Sequence, residues 1–173
     1  GHPSHASTPE FGINPAYALC KLVMELHSLD PKEIFEGDVL WTVIQLDVGE
    51  PGFGTAASSG SLLLTIRAER EDELDKLQQM IENRAKELAE KDKLKYAFRY
   101  EDQFPETVSH DSSVDKIIEA AKLLGYDVQA GEAERGSEDF GYYLKVAKGS
   151  MFDVGAGEEV APLHTLEYDF TDE

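Results

Sequence analysis

Cysteine is nearly absent from this sequence: Cys20 stands alone among 173 residues, so no disulfide can form within the chain. The helical apolar pattern around it predicts a small buried side chain, and with no base nearby in sequence the thiol reads as inert. Basic residues are scarce too. Lys and Arg number 16 against 35 Asp and Glu, a formal charge of -19, and such a surface repels phosphate backbones and anionic lipid. Nucleic acid and membrane surfaces are therefore not expected partners. No run approaches the roughly 18 apolar residues of a membrane-spanning helix, and no charged-then-apolar leader opens the chain, so a cytoplasmic setting is the expectation. Neither a Gly-x-Ser-x-Gly elbow nor zinc-finger cysteine spacing occurs. Gly155-Ala-Gly157 runs into Glu-Glu-Val-Ala-Pro rather than a helix, which excludes a dinucleotide loop. The first residue is Gly1 rather than Met, which reads as a processed or excised start.

What is present suffices for one good core or two small ones, since 41% of the residues are hydrophobic and 29% charged. Residues 1–12 form a loop rich in Gly, Pro, Ser and Thr, after which Asn14-Pro15 supplies a helix cap and first turn. Leu19, Leu22, Val23, Leu26 and Leu29 recur at helical spacing, and the helix ends near Asp30-Pro31. Val39 to Val48 alternates as a strand with Leu40, Thr42, Ile44, Leu46 and Val48 on one face. A glycine-rich break at 49–54 leads to a second strand carrying Leu62, Leu64, Ile66 and Ala68, and the two should pair as a hairpin. From Glu71 to Lys91, Leu74, Leu77, Ile81, Ala85 and Leu88 keep one apolar stripe on an amphipathic helix. A third strand is expected over Leu94 to Tyr100, with Leu94, Tyr96, Phe98 and Tyr100 facing one way.

The order helix, strand, strand, helix, strand is that of a ferredoxin-like α+β domain, two helices on an antiparallel sheet, with its first strand missing. That strand is internal in such a sheet, so its loss leaves open edges that a neighbouring chain or a diverted segment must fill. Phe104-Pro105 closes this unit, giving a first domain over 1–104 and a second over 105–173. In the second, Asp111 or Ser112 caps a helix bearing Val114, Ile117, Ile118, Ala121 and Leu124 and ended by Gly125. A strand near Tyr126 to Gln129, a short helix over Ser137 to Leu144 and a strand at Met151 to Val154 would follow, an α/β fragment.

Two stretches carry a resemblance. Gly1-His-Pro-Ser-His-Ala-Ser-Thr-Pro9 with Gly-Ile-Asn-Pro at 12–15, and Gly136-Ser-Glu-Asp-Phe140 with Pro162-Leu-His164, together resemble the metal-dependent amidohydrolases that include hippurate hydrolase, aminoacylases and the indoleacetyl-amino acid hydrolases. The resemblance covers the whole chain and implies a lid, or dimerisation, domain followed by the C-terminal part of a metal-binding catalytic domain. It implies hydrolysis of the amide bond of N-acyl amino acids or small peptides by metal-activated water in the parent enzyme, with two divalent ions, zinc or manganese. It also implies a homodimer whose lids pair through a sheet edge and a helix. By itself the chain should be inactive and bind no metal.

The resemblance implies roles residue by residue. His5 is the lid histidine that reaches into the partner's active site and steadies an oxyanion, a contact worth about 3–4 kcal/mol by analogy with other oxyanion donors. His164 matches a metal ligand, although catalytic zinc takes about three protein ligands plus water and the upstream His-x-Asp or Cys-x-His pair is not found. Arg67 aligns with a lid arginine near the substrate's carboxylate, a task that suits a forked guanidinium. Gly136, Ser137 and Glu138 match a segment lining the substrate pocket; read from the residues alone, Ser137 with Glu138 and Asp139 equally suits a helix cap. Glu158-Glu159 reads as solvated charge and His110 as a loop residue. The family's Asn-Val-Ile-Pro stretch is replaced here by Gly54-Thr-Ala-Ala57. A second reading of the whole is a free-standing ferredoxin-like dimerisation or ligand-binding module without catalysis.

Overall fold

The computed structural model describes residues 1–155, 157, 160, 161 and 165–169. The chain divides into two compact units, residues 1–106 with 133–137, and residues 107–132 with 138–173. The fold is α+β, with five α-helices and one two-stranded antiparallel sheet among the described residues.

In the first unit, helix α1 (Ala16–Ser28) starts where the Asn14 side chain accepts a hydrogen bond from Ala16 N at 2.9 Å, satisfying a donor that the first turn leaves open. Its buried residues are Ala18, Leu22 and Leu26, one every four positions. Cys20 lies two residues from that stripe, about 200° round the helix, and is exposed rather than buried. Asp30-Pro31 does not only end α1: the Asp30 carboxylate accepts from Lys32 N at 3.0 Å and caps a further short helix, α2 (Pro31–Ile34), that the periodicity does not foretell.

Strands β1 (Val39–Val48) and β2 (Gly60–Ala68) pair antiparallel, with an irregularity between Val43 and Gln45. Opposed residues share a face, so the register sorts the side chains. Val39, Trp41, Val43 and Leu46 oppose Ala68, Ile66, Leu64 and Leu62. Trp41, Ile66, Ala68, Leu62 and Leu64 pack on the buried clusters, which makes this the core side. The expectation that Leu40, Thr42, Ile44, Leu46 and Val48 share one face is therefore corrected. Ile44 is an extra residue in the ladder, and a bulge of one residue transfers the alternation from odd to even positions. Leu40, Thr42, Leu63, Thr65 and Arg67 are left on the opposite face.

Helix α3 (Glu71–Lys91) begins with Glu71, Asp72 and Glu73 and has Lys91 in its last turn, the polarity that its dipole favours. Leu88 joins Ala18, Leu22 and Leu26 in one cluster, while Leu77 joins Phe35 and Val39 in a second. Glu73 is the one buried charged residue described. Its carboxylate accepts from Glu36 N at 2.7 Å and Gly37 N at 3.1 Å, tying α3 to the turn that enters β1. A Cβ on Gly37 would meet Glu73 Oε2 at 2.4 Å, so a side chain there would push the carboxylate from its place.

Residues 94–100 do not form the third strand. Among the described residues they belong to no ladder, although the expected side does face α3: Leu94 packs on the first cluster, the Lys86 ammonium stands 5.3 Å from the Phe98 ring centre, and Tyr100 donates its hydroxyl hydrogen to Glu82. In a ferredoxin-like sheet the final strand bonds to the first, and the described residues include no such partner.

In the second unit, α4 (Asp111–Leu123) has no side-chain cap, so Asp111 and Ser112 do not serve as expected, but it ends as expected at Gly125 with φ +82. The segments 126–129 and 151–154 are not strands. Helix α5 (Phe140–Leu144) starts three residues later than the sequence predicts. His110 is more than a loop residue: its backbone N–H donates to Gly149 O at 2.9 Å, and its ring Nδ1 lies 3.3 Å from the same carbonyl.

Candidate functional site

His5 sits in an exposed loop whose backbone is held on both sides. It bridges Thr55; Ala6 N donates to Gly54 O at 3.0 Å, and Ala56 N donates to Ser4 O at 2.9 Å. The turn closes with Thr8 N donating to His5 O at 2.9 Å. Two groups of Ser7 meet the imidazole at Nδ1, the hydroxyl oxygen at 2.7 Å and the backbone N–H at 3.2 Å. Ser7 belongs to the motif at 1–9, but its bond to the ring is marked in the sequence only by the habit of hydroxyl residues to bond locally.

Arg67 lies near the far end of β2, seven residues beyond Gly60 and on the order of 20 Å along the strand, whereas the Gly54–Ala56 loop that anchors His5 precedes Gly60. These two candidates are not brought together within one chain. Arg67 and Ser137 are. Arg67 Nη1 donates to Ser137 Oγ at 2.7 Å and to Arg135 O at 2.8 Å. Arg135 in turn donates to both Asp38 oxygens, at 2.5 and 2.9 Å, and these bonds hold the Asp38 carboxyl below the usual carboxylate range. Asp38 directly precedes β1 and takes a hydrogen bond from Glu69 N at 2.9 Å, so the segment 133–137 is pinned at the same end of the hairpin as Arg67. Neither Asp38 nor Arg135 was marked by the sequence, since their pairing spans 97 residues.

The charge arrangement at Arg67 is unusual for so acidic a chain. Arg70 pairs with Asp72 and Glu36, Arg84 with Glu25 and Glu87, Arg99 with Glu101 and Arg135 with Asp38. Arg67 is the fifth arginine, and among the described residues it has no carboxylate partner, only a carbonyl and a hydroxyl. A guanidinium with neutral acceptors retains its charge for an anion.

Gly136, Ser137 and Glu138 are all exposed. No atom lies within 4 Å of a Cβ built on Gly136, and the Glu138 carboxylate turns back to accept from Asp139 N at 2.8 Å. His164, like Glu158 and Glu159, lies outside the described residues. Among the described residues no group of three or more His, Cys, Asp and Glu side chains could hold a metal ion, so these residues alone do not fit a two-metal centre. No described helix is long and apolar enough to cross a membrane.

Beside the other edge of the hairpin, a groove of about 400 Å³ runs between α1 and β1, lined by Val23, Met24, Leu26, His27, Trp41, Thr42 and Val43. Met24 and Ile44 are 62% and 59% exposed around it, an apolar margin beside the edge of β1 that faces away from β2.

Residues 1–93 match the family model of the peptidase dimerisation domain, M20_dimer. Over 114 residues, 65% of this chain and 29% of the relative, the sequence is 31% identical to YhaA of Bacillus subtilis (strain 168), a protein named as an amidohydrolase. Over 166 residues, 95% of this chain and 44% of the relative, it is 26% identical to N-acetyldiaminopimelate deacetylase of Exiguobacterium sibiricum. The fold superposes on the crystal structure of an aminohydrolase from methicillin-resistant Staphylococcus aureus with a TM-score of 0.77 at 19% identity, covering 99% of this chain and 45% of that one. The chain thus spans less than half the length of each of these proteins. With more than half of its residues in the match, the chain belongs to the M20 peptidase dimerisation domain family.

Proposed function

We propose that this chain is the lid and a following portion of an amidohydrolase that cleaves N-acyl amino acids or small peptides, and that it serves dimerisation and substrate covering. The observation that carries the reading is Arg67: a guanidinium without a carboxylate partner, on the sheet face that the helices leave open. A free carboxylate is what the products and substrates of such hydrolysis present, and a forked cation takes it through two charge-assisted bonds. Ser137, already within hydrogen-bond distance of Arg67, would line the same subsite with Gly136.

His5 acts as the donor to the oxyanion formed when water adds to the amide carbonyl. Because it is anchored away from the Arg67 end of the hairpin, the two residues serve different parts of the substrate or different active sites of a dimer. The edge of β1 and the groove beside α1 are the surfaces through which two lids would pair, extending the sheet across a two-fold axis. Two divalent ions, zinc or manganese, are the cofactor this chemistry calls for. The described residues do not assemble such a site, so its donors must lie mainly in the remainder of the parent enzyme, and the chain alone is inactive.

The test compares the chain with a protein that contains it together with a full catalytic domain, using N-acetyl amino acids and their carboxamide analogues. The longer protein should hydrolyse the acids, and Arg67→Gln should raise KM about 10-fold to 100-fold for the acids, the range of a charged hydrogen bond, while leaving the carboxamides unchanged. His5→Ala should lower kcat by about 10²–10³, as for other oxyanion donors. Equal losses on acids and carboxamides would remove Arg67 from the carboxylate subsite, and full activity in His5→Ala would remove the donor role.

A further inference from the structure

We infer that Ser7 is a positioning residue for His5, fixing the imidazole so that its proton sits on Nε2 and an uncharged N–H donor faces outward. This rests on the proposed role of His5 at the oxyanion and adds what sets that donor's identity and aim.

A backbone N–H only donates, and the Ser7 N–H is directed at His5 Nδ1 at 3.2 Å. Nδ1 must then offer a lone pair. In a neutral imidazole one nitrogen carries the hydrogen and the other accepts, so accepting at Nδ1 leaves the hydrogen on Nε2. The Ser7 hydroxyl, with its oxygen 2.7 Å from the same nitrogen, can rotate to donate there as well. Both donors come from one residue, two positions along the chain, inside a turn closed by Thr8 N to His5 O.

The consequence is chemical rather than merely structural. With the proton on Nδ1, Nε2 would present a lone pair, which repels a developing oxyanion; with the proton on Nε2, the same atom stabilises it. The backbone on either side of His5, at Ser4 and Ala6, is already tied to Ala56 and Gly54, so the freedom left to the ring is rotation about its side-chain bonds, and Ser7 restrains that. An electrostatic donor held in place before the reaction needs no reorganisation when charge develops.

The experiment is ¹⁵N NMR of the uniformly ¹⁵N-labelled chain at a pH where the ring is neutral. We expect His5 Nδ1 to resonate as an unprotonated nitrogen and Nε2 as a protonated one, with a through-hydrogen-bond ¹⁵N–¹⁵N coupling between Ser7 N and Nδ1. In the longer protein, Ser7→Ala should lower kcat about fivefold, one hydrogen bond's worth, with KM unchanged, and Ser7→Thr should restore it. A proton on Nδ1, an even mixture of tautomers or no coupling would overturn the inference. The NMR measurement uses no substrate, so it is independent of whether His5 acts in hydrolysis, which His5→Ala decides.

Discussion

The two units of the chain are held together by different means. The first contains every buried hydrophobic residue described, from Ala18 to Ala89, and all of them but Ala89 fall in two clusters under one hairpin. The second has a helix of 13 residues, α4, that buries none of them, and Leu123 and Leu124 at its end are 83% and 75% exposed. Helical propensity and a glycine stop are enough to define α4, but only packing against other elements makes a helix resist unfolding. The comparison separates local signals, which both units have, from a core, which the first alone has among the described residues.

The largest test of that contrast is a pair of truncations. Leu77 is completely buried, so Leu77→Ala should cost about 2–5 kcal/mol in urea denaturation, whereas Leu123→Ala should stay within about 0.5 kcal/mol. Similar losses at both positions would erase the distinction. Next is the carboxylate buried at the entry to β1. Glu73→Ala leaves the amides of Glu36 and Gly37 without their acceptor, which should cost about 1–3 kcal/mol; amide exchange at those two residues should rise more than anywhere in α4. Trp41→Phe removes the indole N–H that donates to Leu26 O at 3.2 Å and should cost about 1 kcal/mol, read from the midpoint of the same urea curves.

The smallest expected effect is on pH. Hydrogen bonds from Arg84 and Arg135 hold the carboxyls of Glu25 and Asp38 below their ordinary values, and a bond from Tyr100 does the same for Glu82. A folded pKa below the unfolded one adds stability that is complete above about pH 5 and is lost as pH falls through the folded value. Tyr100 is shifted the other way, upward, by Glu82, so its contribution is present below about pH 10 and fades as pH rises past the folded value. Melting temperature should therefore decline at both extremes, and Asp38→Asn should flatten part of the acid limb. High salt should shrink the arginine effects, since these pairs face solvent.

Much of the first unit was legible because its signals are local. The bounds of β1 and of α3 coincide with those read from alternation and the apolar stripe, and the end of α4 follows from Gly125. What failed needed a partner or an extra residue. The bulge at Ile44 has no mark in the alternation, yet it decides which side chains face the helices. Residues 94–100 have strand composition, but a strand exists only with a neighbour, and none lies beside them among the described residues. For the site, the motif at 1–9 singled out His5 and contains Ser7, and the structure adds the bond between the two. The approach of Arg135 and Ser137 to Arg67 spans 68 and 70 residues, a separation at which no spacing rule operates. The domain boundary drawn at 104 falls two residues before the observed division, but the return of 133–137 to the first unit had no counterpart in the sequence.

The bulge in β1 also constrains how this strand can evolve. Substitutions along it are judged one side chain at a time, but adding or deleting a single residue before Ile44 would invert every position up to the turn, sending Trp41 outward and Thr42 inward. Length variation among related proteins should accordingly collect between Glu50 and Phe53, ahead of the Gly54–Ala56 segment that pairs with the His5 loop, and a β1 of altered length should appear only with a compensating change in the bulge.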